Sequence, residues 1–486
     1  MPPFFTATNS ADSASEVFAE RGRTGPATGW QRVLRAPWPW PVRVAAVLAL
    51  YGAYFLLGGG LNGQRMPYDA GHYWELAVSF QRQHQAFSLL YFNDPTRGYC
   101  AALLQFPALV VRFLTHCTMP TAAKTVGVGW AVLLYALLVP ALWRCLVPGG
   151  RVAGGRWLLL VLLAFAFWRD HFSFTMVDMP ALALLLLALW APSRAGLGWW
   201  LVAGLSLTVA CNGRPVYVVA VAPVLALAGW WAGQHGRHTL ARGTMLLVGV
   251  ALVLGPQWAI NRRHFQRNTP LVLARVNPND PAPLYLKQLT WGTRVLRYDT
   301  GLHQRYIYAD WAGLRVLRQE GLREYTSYGQ FLSVAARHPL DFGVRYLRHL
   351  FNGLDVQQPA PYLLRDYGPW RHGLQVLNYT VLGLGGWLLI GWRRQLNWPR
   401  ALTLLALLLP CMVALPTAVE CRFLLPLHLL LLLLVAFQFP LRWRMPPRQG
   451  VAAVVLLGLW LVGCFALSAA TFRTLQPDRG KTLVDD

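Results

Sequence analysis

The sequence predicts an all-α membrane protein that crosses the bilayer eleven or twelve times. Its 486 residues are 55% hydrophobic and only 13% charged, whereas soluble proteins carry about 25% charged residues. Apolar runs of spanning length recur along the chain. Short arginine-rich segments separate several of them, as in the cytoplasmic loops of multi-pass proteins. These three observations define the fold class that we expect.

Residues 1–40 precede the first apolar run. They are rich in Ser, Ala and Pro, which predicts a disordered tail. Arginines at 21, 23, 32 and 35 assign this tail to the cytoplasm. No cleavage motif of small residues follows the first run, so we expect an uncleaved signal anchor.

Twelve apolar runs have about the length of a membrane span. They lie near residues 42–60, 98–115, 122–146, 156–170, 176–192, 197–212, 215–232, 243–260, 374–392, 401–416, 422–440 and 450–470. The runs divide into an N-terminal membrane module over 41–261 and a C-terminal group over 374–471, which a tail at 472–486 follows.

Residues 262–373 separate the two groups of runs and are polar. They contain eight of the twenty acidic residues of the chain. We interpret them as one large loop outside the membrane. Within the loop, residues 328–351 predict two short helices that are separated at His338-Pro339, because a residue before proline disfavours the helical conformation.

The positions of the arginines orient the spans. Short arginine-rich loops lie on the cytoplasmic side, and the loops so assigned are 144–156, 193–196, 233–242, 393–400 and 441–448. The remaining connections then fall outside. They are the first loop at 61–97, residues 170–178, residues 212–215, the large loop, and residues 420–422.

The run at 98–115 does not fit a simple alternation of spans. Gln105, Pro107 and Arg112 interrupt it. Only one net crossing is allowed between residue 97 outside and residue 144 inside, although two runs lie there. We therefore expect residues 98–115 to lie at the outer surface as an amphipathic element, which leaves eleven crossings and an outer C-terminus.

Ionisable residues gather at the predicted outer ends of the spans, and no short inner loop carries an acid. The outer residues are Asp69, Glu75, Asp94, Arg97, Arg169, Asp170, Asp178, Arg214, Glu420 and Arg422. Ionisable groups near a span are functional candidates. A mixed cluster above an apolar bundle suits a ligand with an anionic head and an apolar tail.

The acids of the first outer loop have structural alternatives. In "YDAGHYWELA", Asp69 is either a functional carboxylate or only the N-cap of the helix that follows. His72 lies one turn further on and could share its face. Glu75 lies one and a half turns away and is expected to point elsewhere. His72 and Glu75 are therefore weaker candidates than Asp69.

The later candidates also have structural alternatives. Asp178 resembles a helix cap, with Pro180 two residues later. Arg214 precedes Pro215 at a helix start and could be a snorkelling side chain. Glu420 and Arg422 could simply pair with each other.

Several function classes are disfavoured. The net charge of +24 is spread over membrane loops, so membrane lipids or a lipid phosphate are the expected partners, and nucleic acid is not. No nucleotide-binding, serine-hydrolase or zinc-protease motif is present. The seven cysteines show no metal-binding spacing and are interpreted as small buried side chains. The absence of a visible inverted repeat disfavours a transporter.

Five motifs in order resemble the GT-C membrane glycosyltransferases, the group that includes the protein O-mannosyltransferases and the lipid A aminoarabinose transferase. They lie over most of residues 40–440 and are "YDAGHYWELA", "NDPTRGYCAALLQFPAL", "FTMVDMPALALLLLALW", "CNGRPVYVVAVAPVLAL" and "VECRFLLPLHLLLLLL". The last is similar to the family's Glu-x-Arg-Tyr signature, with Phe423 in place of Tyr. All five fall on the same side by the independent arginine argument.

The resemblance implies an activity and a role for each residue. The enzyme would take a sugar from a polyprenyl-phosphate donor and transfer it to a hydroxyl of a lipid, glycan or protein acceptor, on the outer face of a bacterial inner membrane. Asp69 corresponds to the catalytic acid. The supporting acids would be Asp178, Glu420 and Asp94, and the arginines that bind the donor phosphate would be Arg97, Arg214 and Arg422.

The chain also departs from the family. The first loop lacks the paired Asp-Glu of the protein O-mannosyltransferases, because Ala70 follows Asp69, and this leaves the acceptor open. No cofactor is required by the expected reaction, although Asp69 and Asp178 could together hold a divalent metal. A lipid or polysaccharide transporter and a non-catalytic envelope assembly protein remain the alternatives.

Overall fold

The computed structural model describes residues 33–63, 65–82, 87–147, 152–234, 236, 238–301, 305–363, 370–392, 396–439 and 446–476. Most of the tail predicted at 1–40 lies outside these residues, as does the end of the predicted tail at 472–486.

The described residues are mainly helical. The helices before the large polar segment are α1 (Trp40–Leu56), α2 (Tyr68–Arg82), α3 (Tyr99–Leu103), α4 (Phe106–Thr115), α5 (Met119–Leu146), α6 (Gly154–Trp168), α7 (Asp178–Trp190), α8 (Leu197–Gly213), α9 (Val221–Gln234) and α10 (Thr239–Phe265). Those within and after it are α11 (Leu284–Arg294), α12 (Trp311–Gln319), α13 (Tyr328–Arg337), α14 (Pro339–Leu354), α15 (Trp370–Trp392), α16 (Trp398–Ala414), α17 (Leu425–Gln438) and α18 (Pro447–Phe472).

The helices support a multi-pass membrane protein. Six helical segments of the described chain are long and apolar enough to cross a bilayer: α5, α10, α15, Pro215–Gln234, Cys421–Gln438 and Gln449–Phe472. The bent pair Gly154–Ser173 and Asp178–Ser193, with 119° between its helices, would add one more. Four shorter apolar helices accompany them, at Trp40–Leu56, Tyr99–Thr115, Leu197–Gly213 and Trp398–Ala414. The count of eleven or twelve crossings therefore stays a prediction.

The run at 98–115 is broken, as its polar residues indicated. It forms α3 and α4, which meet at Leu104 and Gln105. Pro107 is tolerated because it lies in the first turn of α4, where its missing N–H would have no helical partner. Val110, Phe113 and Leu114 are exposed along α4. Whether this element lies in the membrane surface stays a prediction.

The segment that we expected to be one large loop is a folded lobe. It contains helices α11 to α14 and the antiparallel strands β1 (Val295–Thr300) and β2 (Arg305–Ala309). A third strand, β3 (Leu475–Gln476), pairs with β2 and comes from the predicted C-terminal tail. The boundary predicted at His338-Pro339 is confirmed, because α13 ends at Arg337 and α14 begins at Pro339.

A buried polar network fixes the lobe on the helix bundle. Arg297 of β1 donates to Asp299 at 2.7 Å and to Asp355 at 3.0 Å. Asp355 follows α14 directly and accepts hydrogen bonds from Tyr379 of α15 and Ser468 of α18, both at 2.8 Å. The network therefore joins the lobe to two helices that belong to candidate spans, α15 and α18.

Candidate functional site

Six charged side chains from five distant parts of the chain meet in one place, which we call the charged cluster: Asp69, Arg97, Asp178, Arg214, Glu420 and Arg422. Asp69 pairs with Arg97 (Oδ1–Nη2 3.3 Å) and with Arg422 (Oδ2–Nη2 2.9 Å). Every member of the cluster was a candidate from the sequence. The structure thus brings together the acids and arginines that the arginine-based orientation had assigned to one side.

Asp69 lies in the first turn of α2 and does not cap that helix, contrary to one interpretation of the sequence. The helix begins one residue earlier, at Tyr68, and the N–H of Gly71 donates to the carbonyl of Pro67 at 3.1 Å. The carboxylate is therefore directed to arginines and not to the helix backbone. Tyr68 has a left-handed backbone (φ 45°), an unfavourable conformation for a residue with a side chain.

The first turn of α2 is held by neighbours on two sides. The hydroxyl of Thr175 donates to the carbonyl of Ala70 at 2.6 Å, and the N–H of Ala70 donates to the hydroxyl of Tyr362 at 3.4 Å. A Cβ on Gly71 would lie 2.6 Å from the carbonyl oxygen of Met66. Only glycine therefore allows the chain to turn into α2 this closely, and the position of Asp69 depends on that turn.

Arg97 is positioned by a short loop that Asp94 organises. The Asp94 carboxylate accepts hydrogen bonds from the backbone N–H groups of Thr96 at 2.7 Å and of Arg97 at 2.8 Å. The next residue, Gly98, packs against Asn212, where a Cβ would lie 2.2 Å from the Asn212 amide oxygen. This contact ties the Arg97 loop to the end of α8, which carries Arg214.

Asp178 and Arg214 form a buried pair of the cluster. The side chain of Asp178 is 3% exposed, and its Oδ1 lies 2.8 Å from Arg214 Nη1. Asp178 is the first residue of α7, and Val177 occupies the N-cap position, so the interpretation as a helix cap was wrong. Arg214 ends α8 and precedes a 3₁₀ turn that begins at Pro215, as its position before proline predicted.

Arg422 connects the acids of the cluster. Its Nε and Nη2 donate to the two oxygens of Glu420 at 2.8 and 3.0 Å, while Nη2 also donates to Asp69 at 2.9 Å. Its Nη1 lies 3.9 Å from Asp178. The planar guanidinium can hold several oxygens at once in this way. Glu420 and Arg422 do pair, as the structural alternative held, but Asp69 shares the pair.

Aromatic rings line the cluster. Arg97 lies 5.2 Å from the ring centre of Tyr73, and Arg422 lies 5.8 Å from that of Tyr362. Arg214 and Arg422 both approach Phe423, at 5.4 and 5.6 Å. Such contacts hold guanidinium groups by cation–π attraction and keep water away from them.

The cluster is most open at Asp69. Its side chain is 36% exposed, whereas those of Arg422 and Asp178 are 6% and 3% exposed. Partial burial would raise the pKa of Asp69, but the guanidiniums of Arg422 and Arg97 outweigh this effect and lower its pKa to about 2. Burial raises the pKa of Glu420 in spite of its pairing with Arg422. Asp69 is thus the most accessible carboxylate of the cluster and is ionised at neutral pH.

The remaining sequence candidates lie beside the cluster. His72 pairs with Asp94 and not with Asp69: its Nε2 lies 3.0 Å from Asp94, and its side chain is 44% exposed. Asp94 therefore holds the loop of Arg97 and also contacts His72. Among the described residues it makes no direct contact with the acids of the cluster. Glu75 is exposed on α2.

Sequence reasoning missed the residues that hold the cluster in place. These residues are Thr175, Tyr362, Asn212 and Tyr73, all uncharged. Three of them lie inside the quoted motifs, but only the charged residues of those motifs were considered as candidates. The pairing of Asn212 with the backbone of Cys100 at 2.8 Å had one indirect signal, since Asn212 belongs to the polar connection "NGRP" between two apolar runs. Tyr362 gave none, because it reaches the cluster from the lobe.

The acids of the cluster face arginines and do not face one another. Among the residues that the structure describes, no three His, Cys, Asp or Glu side chains lie close enough together to hold a metal ion. The suggestion that Asp69 and Asp178 together hold a divalent metal stays a prediction.

The fold and the site define a multi-pass α-helical membrane protein with a buried cluster of three acids and three arginines. No protein-family model matches the sequence, and no curated protein matches it significantly.

Proposed function

We propose that the protein is a membrane glycosyltransferase of the GT-C type, which transfers a sugar from a polyprenyl-phosphate donor to an acceptor hydroxyl on the extracytoplasmic face. The observation that carries this proposal is the placement of Asp69, a partly exposed carboxylate between two guanidinium groups. A base and groups that bind phosphate are the two functions that this reaction requires. The helical bundle agrees with the GT-C type in being an all-α fold with several candidate membrane spans.

Asp69 would act as the general base. Transfer to a hydroxyl requires a group that takes the acceptor proton as the oxygen attacks the anomeric carbon. Asp69 is accessible and ionised, and its backbone is fixed by Thr175 and Tyr362. A carboxylate that activates the acceptor opposite the leaving group implies inversion at the anomeric carbon.

The arginines would bind the phosphate of the donor. The leaving group is a polyprenyl monophosphate, which gains negative charge as the glycosidic bond breaks, and guanidinium groups stabilise such oxygens with paired hydrogen bonds. Arg97 and Arg422 border the opening at Asp69, and Arg214 lies behind them with Asp178. No step in this scheme requires a cofactor.

The charge of the cluster implies an exchange of partners. Its three acids and three arginines balance, so an incoming phosphate finds Arg97 and Arg422 already paired with Asp69. The phosphate would take the place of the Asp69 carboxylate on these arginines. Asp69 would then be released toward the acceptor, and it would be a stronger base than in the free protein, because the two cations that lower its pKa are neutralised.

Asp69→Asn tests this proposal. The amide keeps the shape of the side chain, so we expect a folded protein that still inserts into membranes and binds donor, with sugar transfer reduced by about 10²–10⁴. The measurement is transfer of label from a polyprenyl-phosphate sugar by the purified full chain. Glu324→Gln is the matched control, because it removes an exposed carboxylate of the lobe.

Wild-type turnover in the Asp69→Asn protein would remove Asp69 as the base. Absence of any transfer by the wild-type protein, for a range of polyprenyl-phosphate sugars, would favour the alternatives of a lipid or polysaccharide transporter or an assembly protein.

A further inference from the structure

Two arginines that the proposed reaction does not use lie close together at one end of the helix bundle. Arg43 is in the first turn of α1, and Arg144 is in the last turn of α5. The two guanidinium groups are within electrostatic reach of each other. We call them the arginine pair.

The packing of α1 against α5 brings the arginine pair together. Val47 and Tyr51 follow Arg43 at spacings of four and eight residues, so these three side chains share one face of α1, and all three are buried. The Tyr51 ring stacks on the ring of Tyr135 of α5, with 6.3 Å between the ring centres. The two tyrosines lie eight and nine residues from the two arginines in sequence. The helices are therefore antiparallel, and the start of α1 lies beside the end of α5.

This end of the bundle lies opposite the charged cluster. The N–H of Gly154, the first residue of α6, donates to the carbonyl of Ala36 at 2.8 Å, so α6 starts beside the residues that precede α1. It ends at Trp168, and the turn that follows leads to Asp178 of the cluster. The fifteen residues of α6 extend about 22 Å. The length of one helix therefore separates the arginine pair from the cluster.

The arginine pair lies at the level of a membrane interface. The helix α5 is one of the candidate spans, and Arg144 lies two residues before its end at Leu146. Trp40 begins α1 and is 61% exposed, and exposed tryptophans are typical of the membrane–water interface. The phosphate groups of phospholipids lie at the same level.

Arg43 is buried without a partner. It is 7% exposed, and its guanidinium makes no hydrogen bond and no ion pair with another described residue. Its Nε is fully enclosed, whereas Nη1 and Nη2 are not. Buried charges in proteins are normally paired, but the charged group beside Arg43 is the like-charged Arg144. The two Nη atoms are therefore free to donate to an anion.

No acid of the described chain balances the arginine pair. Residues 33–47 and 139–160, which form this end of α1, α5 and α6, contain no Asp or Glu. The described acids lie in the first outer loop, between residues 170 and 178, in the segment 262–373, and at Glu420. A third arginine at this end, Arg156, is already bound, because its Nη1 donates to the carbonyl of Phe437 at 2.6 Å. The arginine pair thus carries two uncompensated positive charges.

We propose that the arginine pair binds the phosphate head group of an anionic phospholipid, in the leaflet opposite the charged cluster. The Nη atoms of Arg43 and the exposed guanidinium of Arg144 would donate to the phosphate oxygens. Basic groups between helices at a membrane interface are suited to such head groups. The lipid would neutralise Arg43 and hold the start of α1 against the end of α5. The inference does not depend on the proposed transfer activity.

The first test measures lipid retention by the purified full chain in neutral detergent, with native mass spectrometry. Phosphatidylglycerol is titrated, and phosphatidylcholine is the comparison without net charge. We expect selective retention of phosphatidylglycerol, and about fivefold weaker binding by Arg144→Gln, which is the effect of one basic group near an anionic lipid surface. Arg43→Lys should also weaken binding, because an ammonium group lacks the paired donors. Arg263→Gln is the matched control, since it removes an exposed arginine from the last turn of another candidate span, α10.

Thermal unfolding distinguishes a lipid site from a structural role of Arg43. Without lipid, Arg43→Met should unfold at the same temperature as the wild type or at a higher one, because it removes an unpaired buried charge. Phosphatidylglycerol at about 100 times its Kd should raise the melting temperature of the wild type by roughly 3 °C. The same lipid should raise that of Arg43→Met by less than about 1 °C. A lower melting temperature of Arg43→Met in the absence of lipid would show that Arg43 is bound by the protein itself, and this would overturn the proposal.

Two other outcomes would also overturn it. Equal weakening of lipid retention by Arg144→Gln and Arg263→Gln would mean that only the general positive charge attracts lipid. Binding of glycerol 3-phosphate as tightly as of phosphatidylglycerol would show a site for a soluble anion.

Discussion

At the scale of single residues, the two arginines that contact Asp69 determine the pKa of its carboxylate. Arg97 and Arg422 each contact one of its oxygens, and together they lower its pKa to about 2. Such a carboxylate is ionised at neutral pH, but it is a weak base. A ligand that binds the two arginines in place of Asp69 would raise the pKa of this carboxylate again. The pH dependence of activity can therefore show whether the donor separates Asp69 from its arginines.

We predict that the acid limb of kcat lies at higher pH than the acid limb of kcat/KM. The profile of kcat/KM reports the free enzyme, in which the pKa of Asp69 is about 2. The profile of kcat reports the enzyme with bound donor, in which phosphate occupies the arginines and the pKa should return toward about 4. In both states the ionised form is active, so activity falls as the pH falls through the relevant pKa. The measurement is transfer rate against pH at saturating and at low donor concentration.

Glu420 needs a control in that experiment, because burial raises its pKa and it could produce an acid limb of its own. The Glu420→Gln protein removes this limb and keeps any limb that belongs to Asp69. Coincident limbs in the two profiles of that variant would mean that the donor does not separate Asp69 from its arginines.

The membership of the charged cluster was predictable from the sequence, but its pairing was not. The positions of arginines in the short loops assigned Asp69, Arg214 and Arg422 to one side of the membrane, because such loops lie in the cytoplasm. The contact between Asp69 and Arg422 joins residues that are 353 positions apart, and no local pattern encodes such a contact. The cap interpretations of Asp69 and Asp178 failed for a local reason. Each helix already includes the acid in its first turn, and the cap position lies two residues before Asp69 and one residue before Asp178. Sequence patterns rarely resolve differences of this size.

At the scale of elements, periodicity identified helices and missed strands. The break at His338-Pro339 was predictable because proline restricts the residue before it. Strand β1 was not, because "VLRYDT" places Arg297 and Asp299 in buried positions and so lacks the alternation of a strand with one polar face. Arg297 and Asp299, which obscure the strand pattern of β1, also belong to the network that attaches the lobe to the bundle.

We predict that Arg297→Met destabilises the protein. The substitution leaves Asp299 and Asp355 buried without this guanidinium, and breaking a buried ion pair from one side costs about 3–5 kcal/mol. For a chain of this length the melting temperature should fall by roughly 3–5 °C, because the entropy of unfolding increases with size. The measurement is thermal unfolding of the full chain in detergent.

Arg315→Met is the comparison for that experiment, since Arg315 is exposed on α12 and its loss should shift the melting temperature by less than about 1 °C. Arg297→Lys should lie between the two variants, because one ammonium group cannot hold both carboxylates. Equal melting temperatures for the two methionine variants would show that the network does not stabilise the attachment of the lobe.

At the scale of the whole molecule, the proposals depend on which side of the membrane the charged cluster faces. The hydrophobic helices support a membrane protein directly, whereas the sidedness rests on the arginines of the short connections. One of these, Arg194, lies between α7 and α8. Asp178, at the other end of α7, and Arg214, at the other end of α8, both belong to the cluster. The two helices therefore separate an arginine-bearing connection from the cluster by their full length.

We predict that cysteines at positions 195 and 319 lie on opposite sides of the membrane. Ala195 is exposed beside Arg194, and Gln319 is exposed at the end of α12 in the lobe, so a reagent can reach both positions once it is on the correct side. In a background without the seven native cysteines, an impermeant maleimide applied to intact cells should label Gln319→Cys and not Ala195→Cys. Permeabilised cells should label both, which shows that each thiol is reactive. Labelling of Ala195→Cys alone in intact cells would place the charged cluster in the cytoplasm, where a donor presented on the extracytoplasmic face could not reach Asp69.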